Sequence, residues 1–400
     1  MSITQRSLST LTVFFSVLWG STALAGTAPE SIVPAEVRIE KPSLSQKISP
    51  NIRHAAASLG MDEDLAAQSS AALHLIYKRD YKGARQAFAT LHSQHPELAI
   101  GNVGRMLIFQ CLMLENFDYR FERQYESHAA LALRDIDLAQ ATPGNDAWEH
   151  FLRGGVLGIQ AIHEMRKGNY VTSMRKGMEA LGSLKALESD APDFVDPDLG
   201  YGLFMYWRTV VGQRSKLIPE GEDRRALGIA LIEKVEKKGA FIGPGATLAL
   251  AYIYMEEGKP RKAIRYSDRL VRRYPDNVIN GLLYTRLMMR LRRYQKALAY
   301  MDHVLAIDTD NHRVHYYRAT THLRLNQLTE AQASIDRFLA MPLEVGPRAY
   351  GLHRKADVFF RQKEYDKARD YYEKAVSANN YGPSKRRLVM LDKMKKNLNR

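Results

Sequence analysis

The sequence predicts an all-α fold, a solenoid of stacked helical hairpins, on three observations. Small residues recur at Ala263, Ala297 and Ala331 at intervals of 34 residues, and Ala368 follows after 37. Each is preceded at three residues by a ring or apolar group (Pro260, Tyr294, Leu328, Tyr365) and followed at four by Ser267, Met301, Ile335 or Tyr372. Twelve residues before each stands a second small residue: Ala251, Thr285, Ala319 and Ala356. A fixed period of this length marks supersecondary units that bury a face only against their neighbours. A small residue on each of two antiparallel helices lets their axes approach closely, and rings fill the remaining gaps.

At the N-terminus Arg6 precedes an apolar run from Leu8 to Trp19, and Ala23 and Ala25 offer a small-residue cleavage site before Gly26. This predicts a secretory signal peptide over residues 1–25. The competing reading is an uncleaved membrane anchor, for which the apolar run is short. Residues 26–50 hold Pro29, Pro34, Pro42 and Pro50 without sustained periodicity, so a flexible linker is expected there. Cys111 is the single cysteine, set in the apolar run "MLIFQCLML", and is expected to act as a small core residue.

Residues 51–243 read as a divergent helical-repeat region. Tyr81, Ala84, Phe88 and Pro96 repeat the offsets of the later units, and Gly168 and Tyr170 mark the turn of a longer hairpin. From 190 to 245, Pro192, Pro197, Pro219 and several glycines predict an irregular insertion. The regular array then spans 244–382. In the last stretch, 383–400, Leu388, Leu391, Met394 and Leu398 fall on one helical face with Lys and Arg over the rest. That pattern predicts a helix capping the open end of the solenoid, with contact to an anionic surface as the alternative.

The small–aromatic–small frame, with Pro275 closing a unit in "RRYPDN", resembles the tetratricopeptide repeat family. Two departures stand out. Thr247, Gly281, His315 and Leu352 occupy the place of the family's first-helix tryptophan, and Thr309, Leu343 and Asn380 that of its closing proline. The resemblance implies a right-handed superhelix whose first helices line a concave groove. It also implies a non-enzymatic scaffold that binds a protein or peptide and needs no cofactor or metal. Carried onto the family's groove positions, it points to Tyr252 and Met255, then Arg286, Met289 and Arg290 beside Leu282. The next units give Tyr316 and Arg324 beside Thr320 and Leu323, then Tyr350, His353, Phe360 and Arg361. Arginines and rings of this kind suit an acidic side chain or a C-terminal carboxylate on the partner. The competing reading pairs the arginines with neighbouring acids and leaves the rings to the core.

A net charge of +14 suits an anionic partner: an acidic protein, a membrane or an envelope polymer. With the signal peptide, it points to a periplasmic or outer-membrane-associated bacterial protein, where nucleic acid is not an expected partner. Catalytic motifs do not assemble. Gly200-x-Gly202 lacks the third glycine of a dinucleotide loop, and His163-Glu164 lacks the second histidine of a zinc-protease helix. His312, His315 and His322 share one arc of a helix but fall at packing positions of the repeat. Asp196, Asp198, Glu222 and Asp223 are conceivable catalytic acids, yet acids beside proline and glycine more often serve caps and turns.

Overall fold

The computed structural model describes residues 48–116, 118–141, 146–214 and 222–398. The expected signal peptide and nearly all of the expected linker lie outside these residues. Among the described residues the chain forms eighteen helices and no strand. A leading helix α1 (Pro50–Leu59) is followed by α2 (Glu63–Tyr77) with α3 (Tyr81–Gln94), and α4 (Ile100–Glu115) with α5 (Glu122–Gln140). Next come α6 (Asp146–Lys167) with α7 (Tyr170–Asp190), and α8 (Asp198–Arg214) with α9 (Arg225–Lys238). The regular array is α10 (Gly243–Glu256) with α11 (Pro260–Arg273), α12 (Val278–Arg290) with α13 (Tyr294–Ile307), α14 (His312–Arg324) with α15 (Leu328–Leu339), and α16 (Val345–Arg361) with α17 (Tyr365–Asn379). Helix α18 (Gly382–Leu398) closes the stack, and each helix packs against its predecessor.

The repeat frame is the core. Ala263, Ala297, Ala331 and Ala368 are fully buried, as are Ala251, Ala319 and Ala356, with Thr285 nearly so. Ser267, Met301, Ile335 and Tyr372 are likewise sealed from solvent. The period is visible in the backbone too. Each turn from a first to a second helix of the array carries one left-handed residue: Gly258, Arg292, Asn326 and Lys363. Their spacing matches that of the alanines, and Arg79 and Gly168 repeat the device upstream. Only Gly258 and Gly168 take this conformation without a Cβ penalty, so the hairpin geometry outweighs local preference at the other four.

The segment 190–245 is not an irregular insertion. Over its described residues it holds a further helix pair, α8 against α9, and α9 packs in turn on α10. The glycines that suggested irregularity permit close crossing instead. A Cβ on Gly202 would stand 2.6 Å from the carbonyl oxygen of Gly228, and one on Gly228 equally near that of Gly202. Asp196 fastens the connection: its carboxylate accepts the backbone N–H groups of Ala240, Phe241 and Ile242 at 2.8–2.9 Å.

Five units on, the coil meets itself. Asn277 and Asn311 are the N-caps of α12 and α14, and their side-chain oxygens accept from Asn280 and Val314 N–H. Their amide nitrogens reach across to the first half of the chain. Asn277 donates to the carbonyl of Tyr77 at 2.9 Å, and Asn311 to that of Glu115 at 3.0 Å. The C-terminal ends of α2 and α4 thus abut the N-terminal ends of α12 and α14, which brings opposite ends of the helix dipoles together. Asn116 accepts from His312 N–H, Arg313 donates to the Leu114 carbonyl, and Tyr77 packs on Tyr274 at 5.6 Å.

Candidate binding site on the concave face

This closure decides which groove positions remain accessible. Helix α4 packs on α12, and Leu282 is 1 % exposed, so no ligand reaches it. Met255 is fully buried, and Met289 packs on the core between α12 and α13. Arg286 is half-buried. Burial opposes its charge, but Tyr317, Tyr252 and Glu256 around it raise its pKa above the usual value, with Tyr252 bonded to it directly. Arg290 donates to the Met255 carbonyl at 2.8 Å and lies 3.7 Å from Glu256, whose side chain is itself buried. Arg286 and Arg290 are therefore already engaged within the protein. At these two groove positions the arginines have partners inside the protein, as the competing reading of the sequence expects.

The far end of the groove is different. An open pocket of about 300 Å³ lies between α14, α16 and α18, lined by Thr320, Leu323, Arg324, Arg354, Asp357, Phe360, Arg361 and Arg387. Asn311 fixes the start of α14, and Lys363, in the left-handed conformation, ends α16 just beyond Arg361. Asp357 is the single acid of the lining. It accepts from Tyr372 Oη and from Arg354, each at 2.7 Å, and lies 3.6 Å from Arg387 Nε. Arg354 also stacks over the Tyr316 ring and donates to its hydroxyl. Burial works against charge on Arg354, yet Tyr316 and Asp357 hold its pKa above the ordinary guanidinium value. Arg387 lies over the ring of Phe360 at 5.5 Å. Arg324 and Arg361 are exposed and have no hydrogen-bond or ion-pair partner among the described residues.

Of the other expected groove residues, Tyr350 packs on Tyr381 at 5.2 Å. His353 is closed over by α18: it bonds Ser384 Oγ at 2.9 Å, and burial depresses its pKa to about 4. Its ring is thus engaged in the contact between α16 and α18. In α18 itself, Leu391 is buried and Leu388 and Met394 pack on the Ala356–Tyr372 core. Sequence reasoning missed Arg354, Asp357 and Arg387. Asp357 follows Ala356 directly and falls on a groove position, so an acid amid arginines was a signal available there. Arg387 belongs to the cap, outside the repeat frame.

The other candidate chemistry dissolves into structure. Asp198 pairs with Lys234, Glu222 with Arg224 and Asp223 with Arg225. His163 bonds Glu122. His312, His315 and His322 do not converge: the first lies against the α4–α5 turn, the second bonds the Thr309 carbonyl and the third Gln327. Among the described residues no three His, Cys, Asp or Glu side chains gather as a metal site, and no helix is long and apolar enough to cross a membrane. Burial pushes the Cys111 thiol up to about 12.

A family model of the tetratricopeptide repeat matches residues 248–312 and 316–383. This part of the chain is built of tetratricopeptide repeats. Among solved structures, it is similar to a thermophilic tetratricopeptide-repeat protein of Thermus thermophilus, at 18% identity over 48% of this chain and 96% of that one, with a TM-score of 0.38. A tetratricopeptide-repeat protein of Parabacteroides merdae is similar at 14% identity over 70% and 98%, TM-score 0.43. The human IFIT1 dimer with PPP-AAAA is similar at 12% identity over 75% and 69%, TM-score 0.43. No curated protein matches the chain. Tetratricopeptide repeats serve as protein-interaction scaffolds, and proteins built from them are generally non-catalytic.

Proposed function

We propose that this protein is an exported, non-enzymatic scaffold that docks a protein segment at the open end of its concave face, with an anionic group of that segment seated in the α14–α16–α18 pocket. The observation that carries the reading is the charge imbalance of that pocket. Four guanidinium groups face one carboxylate, and two of them, on Arg324 and Arg361, are unpaired among the described residues. Arginine forks of this kind recognise oxyanions with direction as well as charge. Leu323 and Phe360 supply apolar contact beside them, so a peptide can bury area while its anion is held. A preformed concave surface also keeps the ordering cost of association low. The basic start, apolar run and Ala23-x-Ala25 site support export, and hence a place in a cell-envelope complex.

The test is capture from solubilised cell envelope by residues 26–400, beside an Arg324→Glu/Arg361→Glu variant. A protein retained by the wild type and lost by the variant supports pocket docking. Equal retention by both, stripped by salt, would instead assign binding to the exposed Lys393, Lys395 and Lys396 face of α18.

A further inference from the structure

We infer that the α14–α16–α18 pocket is built for a phosphate monoester carried on the docked segment, in preference to a carboxylate. This rests on the pocket being the docking site. The first argument is charge. Arg324, Arg354, Arg361 and Arg387 share only Asp357, which leaves three positive charges for an occupant to answer. One carboxylate answers one of them. A phosphate monoester brings about −1.5 to −2 at pH 7 and three strong acceptor oxygens.

The second argument is shape. The guanidinium groups come from three helices: Arg324 from α14, Arg354 and Arg361 from α16, and Arg387 from α18. A carboxylate presents two oxygens in one plane, which a single fork satisfies. A tetrahedral group presents three oxygens in different directions and can accept from forks that arrive from several sides. Two of the four forks are set in advance, Arg354 by Asp357 and Tyr316, and Arg387 by Phe360. The Nε–H of Arg354 is buried and unused by any described acceptor. Arg324 and Arg361 stand at the mouth, able to close on the occupant.

The occupant also sets the pH dependence. The charged and titratable groups around it are the four arginines, Asp357 and His353 on α16, Tyr316 on α14, Tyr372 on α17, and Tyr381 and Arg386 at the start of α18. His353 stays neutral well below pH 6, because burial holds it at about 4. The second ionisation of a phosphate monoester, near pH 6, falls inside the window that these groups leave quiet.

The experiment is calorimetric titration of the full chain with a short phosphoserine peptide, the same peptide carrying Asp-Asp in place of phosphoserine, and inorganic phosphate. Vesicles of phosphatidic acid in phosphatidylcholine form a fourth arm. The phosphopeptide is expected to bind at least tenfold more tightly than the diacid and to weaken about fourfold from pH 7.5 to 5.5, as the dianion is protonated. Both effects should vanish in Arg324→Gln/Arg361→Gln, whose exposed sites keep the fold intact by circular dichroism. Tighter binding of the vesicles than of the peptide, lost in the same variant, would keep the phosphate chemistry and assign its source to lipid. A diacid that binds as well as the phosphopeptide, or an affinity flat in pH, overturns the phosphate assignment. If the charge-reversal variant still loses its captured protein in that case, pocket docking stands without it.

Discussion

Asp196 shows how one side chain can carry a connection that its neighbours cannot. It is 1 % exposed and accepts three backbone N–H groups at the head of α10. Buried donors left unsatisfied cost far more than a surface bond contributes. Asp196→Ala is therefore expected to lower stability by about 3 kcal/mol or more, and Asp196→Asn, which keeps one acceptor oxygen, by roughly half as much. Urea unfolding midpoints of the two variants check this. At the same scale, the arginines separate into two kinds. Arg286 and Arg290 resemble ligand-clamping residues in the sequence, but Glu256, Tyr252 and the Met255 carbonyl already occupy them. Arg324 and Arg361 look no different in the sequence, yet they are the ones left unpaired among the described residues.

At the scale of the element, the array was legible because its period is its packing rule. Each alanine of the frame sits where two helices touch, so a larger side chain would push them apart, and the spacing cannot drift. The left-handed turn residues follow the same period, although Arg292 and Lys363 carry none of the composition that marks such turns. The hairpin of α8 and α9 was misread for a related reason. Pro192, Pro197 and glycines 200, 202 and 228 look like breakers when only local preference is weighed. Gly202 and Gly228 are in fact the close contact of two regular helices, and Pro197 precedes α8 without entering it. The pocket was half legible. Arg324, Phe360 and Arg361 follow from the repeat frame, whereas Arg387 arrives from a helix whose placement depends on tertiary packing.

At the scale of the molecule, the coil's return on itself was not legible at all, since it joins residues 200 and 196 positions apart. A simple solenoid gains stability from nearest neighbours alone and can unfold piecewise. Here Asn277 and Asn311 tie the ends of α2 and α4 to the starts of α12 and α14, which couples the two halves. Asn277→Asp with Asn311→Asp keeps the capping oxygens but removes both crossing donors. The pair is expected to cost about 2–3 kcal/mol and to broaden or split the urea transition. An unchanged midpoint and slope would show that the crossing bonds do not couple the halves. The same closure explains the site's position. It fills the middle of the groove and leaves the α14–α16–α18 end open.

The most direct measurement is hydrogen exchange of the protein alone and with its captured partner bound. Slowed exchange is predicted at the last turns of α14 and α16, around Arg324 and Arg361, and at α18 near Arg387. Protection confined to the outer lysine face of α18, or to Arg261 and Arg265 on α11, would contradict docking at the concave pocket.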